Sequence, residues 1–152
     1  MSDQEQTLVI VKPDAVQRGL VGTILARFEQ KGLRLAALKV MQIDRPLAER
    51  HYAVHQGKPF YPGLVDFITS GPVIVGVLEG PNAIEATRKI MGATDPVTAC
   101  PGSLRGMYAL EIGQNLIHGS DSAGTARFEI DLFFGAGELV EYRRAIDRWI
   151  AE

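Results

Sequence analysis

At 152 residues, the chain is the size of one domain, and residues 1–152 are read as one. A chain this long buries roughly 68–70% of its extended surface, and a 46% hydrophobic content supplies an ordinary globular core. With 16 basic against 18 acidic residues and a formal charge of -2, the chain has no long-range pull on nucleic acids or anionic membranes. A local positive pocket for a small anion stays open. Cys100 is the sole cysteine, which excludes an internal disulfide and fits a reducing compartment. The opening Met1-Ser2-Asp3-Gln4-Glu5-Gln6 is polar and acidic, unlike a secretory signal. The apolar runs are too short to span a membrane, so a cytoplasmic location is expected.

Leu8-Val9-Ile10-Val11 is a continuous apolar run, the pattern of a strand buried on both faces. Lys12-Pro13-Asp14 ends it, because proline cannot donate to a sheet ladder. From Gly19 to Lys31 the period becomes helical, with Val21, Ile24, Leu25 and Phe28 on one stripe and Gly32 as the stop. Leu33 to Met41 is a second strand. Asp44 and Pro46 open a helix expected to reach Val54. Phe60 to Thr69 is a further short helix, with Leu64, Phe67 and Ile68 inward. Val73-Ile74-Val75-Gly76-Val77-Leu78 is the strongest strand signal. A helix follows from Gly80 to Met91, carrying Arg88 and Lys89 near its end.

Residues 92–115 hold several glycines and prolines and form a long loop, which inside a compact domain is usually functional. Ser103 to Tyr108 suggests a short helix within it, and Met107 to Ile112 alternates weakly enough to suggest a strand instead. Leu116-Ile117 enters a short strand. A helix begins near Ser122 and includes Ala126, Ile130 and Phe133. Residues 138–150 show a last helical stripe of Leu139, Tyr142, Ile146 and Trp149.

The order β-α-β-α-α-β-α-loop-β-α-α implies a layered α/β or α+β sandwich. One solution is the α+β ferredoxin-like βαββαβ arrangement, with an inserted helical hairpin between the second and third strands. A small doubly wound sheet satisfies the same pattern. In the first solution helices cover one sheet face, and residues such as Val9 or Val75 on the other need a further helix or a second subunit.

Chemistry concentrates at Asn115-Leu116-Ile117-His118-Gly119-Ser120-Asp121-Ser122. An apolar pair, a histidine, a glycine and three small oxygen-bearing side chains suit a reactive imidazole at the end of a buried strand. Ser120 or Ser122 is placed to cap the following helix. Glu129 on that helix can fold back beside the ring and orient it, with Ser120 bridging. Lys12, Arg88 and Arg105 lie at element ends or in the long loop. Arginine engages phosphate oxygens in pairs, and lysine supplies a compact charge. Thr94 can donate a hydroxyl to the same anion, and Phe60 can stack on a base. There is no phosphate-loop or dinucleotide fingerprint. His51 and His55, one turn apart, lack an HExxH pattern, and a helix with two partly exposed imidazoles is preferred over a zinc site.

Along nearly its whole length the chain resembles nucleoside diphosphate kinases. Asn115 to Ser122 agrees with the family's NxxHGSDS motif. Further matches are Lys12-Pro13-Asp14 with Arg18-Gly19, His51-Tyr52, Lys58-Pro59-Phe60-Tyr61, Ser70-Gly71-Pro72, Gly92-Ala93-Thr94, Pro101-Gly102 and Arg105-Gly106. The resemblance implies a ferredoxin-like core, a long nucleotide-binding loop, and reversible γ-phosphoryl transfer between nucleoside triphosphates and diphosphates. It makes His118 the phosphohistidine nucleophile through Nδ1, oriented by Glu129 and Ser120, with Lys12 and Tyr52 near the transferred group.

The same resemblance assigns Arg88, Thr94 and Arg105 to the nucleotide phosphates. Phe60 and Ile112 would flank the base with Leu64 nearby, and Lys12 and Asn115 would contact the ribose. Mg2+ would enter with the nucleotide, without a dedicated protein cage, and the assembly would be a homotetramer or homohexamer. No membrane or nucleic-acid partner is required. Asp95 and Met107-Tyr108 depart from commoner forms, which touches loop packing. A phosphohistidine relay protein and an inactive ferredoxin-like interaction module are the alternatives.

Overall fold

The computed structural model describes residues 4–152. The polar opening read from the sequence therefore lies partly outside the described residues. The framework is one four-stranded sheet. Its strands are β1 (Glu5–Val11), β2 (Arg34–Met41), β3 (Val73–Gly80) and β4 (Ile117–Gly119), in the spatial order β2-β3-β1-β4. Every pairing is antiparallel, with Ile10 opposite Val75 on one side and His118 on the other. That order and polarity are those of the ferredoxin-like α+β fold, and a doubly wound parallel sheet is excluded.

Helices join the strands. Between β1 and β2 run α1 (Pro13–Gln17) and α2 (Val21–Lys31). Between β2 and β3 lies the inserted pair α3 (Arg45–His51) and α4 (Tyr61–Ile68). The link from β3 to β4 holds α5 (Ala83–Met91) and α6 (Leu104–Tyr108), and α7 (Ala123–Phe133) follows β4.

Each strand alternates its side chains between two layers. Leu8 and Ile10 pack with Val75, Ala48, Val65, Ile130 and Phe133, beneath α3, α4 and α7. Val9 and Val11 pack with Ile24, Phe28, Leu78, Ala83 and Met91, beneath α2 and α5. Helices of the same chain thus cover both faces, and neither Val9 nor Val75 needs a second subunit.

Local chemistry fixes several ends as the sequence suggests. Asp44 accepts the Leu47 N–H at 2.9 Å and caps α3, and Ser122 accepts the Thr125 N–H at 3.1 Å and caps α7. Gly32 stops α2 at φ 112°, in the left-handed region. Ser103 caps α6 through the Gly106 N–H at 3.1 Å. That short helix forms, and the alternative strand over Met107 to Ile112 does not.

Three expectations are corrected. The helix expected over Gly19–Lys31 begins at Val21, and the separate turn α1 precedes it because Pro13 presets a helical φ at the first position. Next, α3 ends at His51, short of Val54; Tyr52 leaves the helical region, and a 3-10 turn spans Ala53–His55. The last helix is absent. Residues there form 3-10 turns at Ala136–Glu138 and Asp147–Trp149 with extended chain between them. Val140 N–H donates to Ala36 O at 2.8 Å, Tyr142 Oη–H to Leu35 O at 2.7 Å, and Arg144 Nη2–H to Gly32 O at 2.8 Å. Hydrogen bonding to β2 and to the end of α2 overrides the 3.6-residue period, which leaves Ile146 and Trp149 exposed.

Phe28 is completely buried at the centre of the α2 layer. Phe28→Ala should lower the unfolding free energy by about 3–5 kcal/mol in urea titrations. A loss below about 1 kcal/mol would show that α2 is not anchored in the core.

Candidate active site

His118 is the middle residue of β4, directly across from Ile10. Residues opposite one another share a face, so the imidazole points toward the layer of α3 and α7. On α7, Glu129 falls on the inward stripe with Ala126, Ile130 and Phe133. The cap at Ser122 fixes where that stripe begins. Glu129 is 3% exposed, and both of its carboxylate oxygens are engaged. Oε2 lies 2.8 Å from His118 Nε2, and Oε1 accepts the Ser120 hydroxyl at 2.6 Å. Leu8 N–H donates to Ser120 Oγ at 3.3 Å, tying the hydroxyl to β1.

This arrangement assigns the imidazole tautomer. An ionised carboxylate only accepts, so Nε2 carries a proton, and in the neutral ring Nδ1 is then the nitrogen with the lone pair. Nδ1 makes no hydrogen bond among the described residues, and the ring borders an open cleft. Burial pushes the Glu129 carboxyl up. The hydrogen bond and charge of His118, the Ser120 hydroxyl and His51 outweigh burial and hold it below its ordinary value of 4.5.

The cleft measures about 820 Å3. Lys12, Tyr52, Leu64, Arg88, Thr94, Arg105, Ile112 and Asn115 line it together with His118 and Glu129. Ser120 lies behind Glu129, fully buried. Phe60 falls outside the lining. It precedes Leu64 by one helical turn, is 52% exposed, and meets His55 edge-on with centroids 5.3 Å apart. His55 does line the cleft.

Three cations converge against two lining carboxylates, Glu129 and Asp121. Lys12 Nζ–H donates to Asn115 Oδ1 at 2.8 Å, and Asn115 Nδ2–H to Thr94 O at 3.0 Å. Burial, then the charge of Arg105, pushes the Lys12 ammonium down to about 8 against an opposing pull from Asp14. Arg105 gives one N–H each to Asn115 O at 3.1 Å, Gly92 O at 3.0 Å and Ile117 O at 2.5 Å. It therefore braces both ends of the long loop against β4 and still faces the cleft. Burial and the neighbouring Arg88 lower its pKa to about 10. Burial and Glu129 push the Tyr52 phenol up to about 12, so it remains a donor at neutral pH. Gly119 has a steric reason: a Cβ there would lie 2.4 Å from Met91 Sδ.

The sequence reading missed two features. His51 was expected to be partly exposed beside His55. Instead it is buried, with its ring centroid 4.6 Å from that of His118 and its Nδ1 3.4 Å from Glu129 Oε2. Neither of its ring nitrogens makes a hydrogen bond among the described residues. Burial, then the nearby His118, pushes its pKa down to about 3. His51, His118 and Glu129 bring ligand-type atoms within 4.8 Å of one another, but Glu129 spends its oxygens on His118 and Ser120. The second missed feature is Leu116, a non-glycine residue at φ 77° immediately before β4. Its Cα pattern carries no local signal for that conformation.

The family model for nucleoside diphosphate kinase matches residues 5–139. The chain belongs to the nucleoside diphosphate kinase family. It is 68% identical over 146 residues to the nucleoside diphosphate kinase of Thermomicrobium roseum, covering 96% of this chain and 98% of that one. Against that of Roseiflexus castenholzii it is 59% identical over 148 residues, covering 97% and 99%. Its fold superposes with a TM-score of 0.97 on a halophilic nucleoside diphosphate kinase from Halobacterium salinarum in complex with CDP. That structure is 51% identical, with 99% of this chain and 100% of that chain covered. The chain is accordingly a nucleotide-binding transferase of the nucleoside diphosphate kinase type, catalysing phosphoryl transfer between nucleotides.

Proton linkage at His51 gives a test of its burial. Between its ordinary value of 6.5 and about 3, the unfolded chain holds a proton there that the folded chain does not. Stability should therefore fall as pH drops through this window. Above pH 4.5 Glu129 is ionised in both states and adds little slope. His51→Phe should flatten the fall in urea midpoints between about pH 6.5 and 4.5. An unchanged slope would mean that His51 is solvated in the folded protein.

Proposed function

We propose that His118 is the nucleophile of a reversible, ping-pong γ-phosphoryl transfer, acting through Nδ1. One observation carries this reading: Nε2 is committed to Glu129 while Nδ1 is left with a lone pair beside the cationic cleft. In the forward half-reaction the Nδ1 lone pair attacks the γ-phosphorus of a nucleoside triphosphate. The bond from that phosphorus to the β,γ-bridging oxygen breaks, and a nucleoside diphosphate leaves. A second diphosphate then attacks the phosphohistidine through its terminal oxygen, restoring the imidazole. Splitting the exchange this way spares the site from holding donor and acceptor together.

Glu129 keeps the ring in its Nε2–H tautomer and balances the positive charge that develops as the N–P bond forms. Ser120 holds the second carboxylate oxygen. Lys12 and the Tyr52 hydroxyl are placed for oxygens of the transferring group, and Arg88, Thr94 and Arg105 for the remaining phosphates. Phe60 and Ile112, both more than half exposed, offer apolar walls for a base, with Leu64 also lining the cleft. Lys12 and Asn115, already hydrogen-bonded to each other, are placed for the ribose hydroxyls.

Mg2+ prefers a few carboxylate oxygens plus phosphates and water. Asp121 is an exposed carboxylate on the cleft wall, unlike Glu129, whose oxygens are taken. The residues fit an ion carried in on the nucleotide and held by Asp121, where it would neutralise phosphate charge. A homo-oligomer, tetramer or hexamer, is supported by the outer strand β2, which carries Leu38 at 47% and Val40 at 71% exposure. The chain acts as a single domain in the cytoplasm, with nucleotides as partners and no requirement for nucleic acid or membrane. Among the described residues no helix is long and apolar enough to cross a membrane.

Incubation with ATP labelled at the γ-phosphate should leave acid-labile label on His118, and added GDP should chase it into GTP. His118→Gln should take up no label. Label that resists the chase, or labelling of the Gln variant, would overturn the reading. Lys12 supplies a second test, because its charge is lost as pH rises through about 8. The ratio kcat/KM, which reports the free enzyme, should fall above that value. Lys12→Arg should remove this alkaline limb while lowering the maximum, and an unchanged limb would separate Lys12 from phosphate binding.

A further inference from the structure

Leu116 adopts φ 77° with its side chain fully buried, and Ile117 N–H donates to Asn115 O at 2.9 Å. These two facts define a γ-turn of the rare, strained hand. Such a turn persists only when its surroundings fix it from several sides. Lys12 N–H donates to Leu116 O at 2.9 Å, and Arg105 donates to the carbonyls of Asn115 and Ile117. The Leu116 N–H takes a different partner. Its partner is the side chain of Asp14 on α1, through Oδ2 at 3.1 Å. Asp14 Oδ1 is buried without a hydrogen-bond partner among the described residues. The carboxylate is thus aimed by a single directional contact, and that contact ends on the turn.

We propose that Asp14 is a positioning residue for phosphoryl transfer: its carboxylate clamps the Asn115–Leu116–Ile117 turn, which sets the placement of His118 two residues further on. The proposal rests on the reading of His118 as the nucleophile. Asp14 is absent from the cleft lining, so it acts through the turn. Loosening the turn shifts the start of β4 and with it the ring that must meet a phosphorus in line. A misplacement near 1 Å costs about 100-fold in rate. Asn115 belongs to the turn, Lys12 and Arg105 are bonded to it, and Arg88 donates to Gly119 O at 3.3 Å, so nucleotide binding should weaken too, but less than a transfer step that needs in-line geometry at one atom. A second route exists, since the charge of Asp14 also favours the ammonium form of Lys12. The variants are chosen to separate charge from placement.

The full-length protein and its Asp14→Ala, Asp14→Asn and Asp14→Glu variants would be compared for steady-state kinetics and for the single-turnover rate of labelling by γ-labelled ATP. Asp14→Ala should lose about 100-fold in labelling rate and kcat, with KM for ATP rising by a smaller factor, about tenfold or less. Asp14→Asn keeps an acceptor without the charge and should stay within about tenfold of wild type, with the alkaline limb of kcat/KM displaced only slightly. Asp14→Glu keeps the charge but moves the acceptor by one methylene, and should fall nearly as far as Asp14→Ala. Wild-type kinetics in Asp14→Ala or Asp14→Glu would overturn the proposal, as would a loss in Asp14→Asn equal to that in Asp14→Ala. If Asp14→Ala does not fold, Asp14→Glu and Asp14→Asn decide alone. Wild-type label found elsewhere than on His118 would instead overturn the underlying nucleophile assignment.

Discussion

The site depends on one buried carboxylate with no spare capacity. Glu129 takes a hydrogen bond from His118 on one oxygen and from Ser120 on the other. A buried anion without such partners would be costly. Here both partners come from the end of β4, two residues apart, and α7 carries the carboxylate onto them. Ser120 is itself held by the edge of β1, so the carboxylate, the hydroxyl and the ring share one rigid base. His51 packs edge-on against His118 on one side and Phe133 on the other. The result is an imidazole whose orientation is set by the fold before any nucleotide arrives. Preorganisation of this sort avoids rearrangement at the moment of transfer.

The second constraint is the crowding of positive charge. Lys12 and Arg105 are both pushed toward their neutral forms, by burial first and by a neighbouring cation next. That cost is borne by the free protein and relieved when phosphate oxygens arrive. Arg105 shows how one side chain serves two ends. Three of its N–H groups fasten the long loop to β4, and the same guanidinium faces the cleft. Loop order and anion binding are thereby linked, and a chain with little net charge still builds a concentrated anion site.

How much of this was legible in the sequence follows from the range of each interaction. The continuous apolar runs of β1 and β3 announced central strands, because burial on both faces leaves that mark. Asp44, Ser122 and Gly32 announced helix ends through contacts three or four residues long. The pairing of His118 with Glu129 was readable because both lie within one strand-turn-helix unit. His51 was not. It meets His118 only because α3 packs beside α7 on the same side of the sheet, and nothing in its own sequence surroundings encodes that packing. The turn at Leu116 was hidden for a related reason, since its conformation is imposed by Lys12, Asp14 and Arg105 from distant segments. The carboxy-terminal stretch misled through a helical period that lost to hydrogen bonds with β2. Phe60 matched a motif and stays half exposed outside the cleft lining, whereas Ile112, implied only by the family resemblance, lines the cleft while more than half exposed.

The most direct measurement is the site of phosphate attachment on the imidazole. Protein carrying 15N-labelled histidine would be phosphorylated with ATP and examined by nitrogen-detected or nitrogen-edited NMR, with phosphorus coupling as the reporter. Coupling to Nδ1 of His118, with Nε2 still protonated toward Glu129, is the expected result. Phosphorus coupled to Nε2, or to another histidine, would contradict the central claim that the Glu129 hydrogen bond selects the nucleophilic atom.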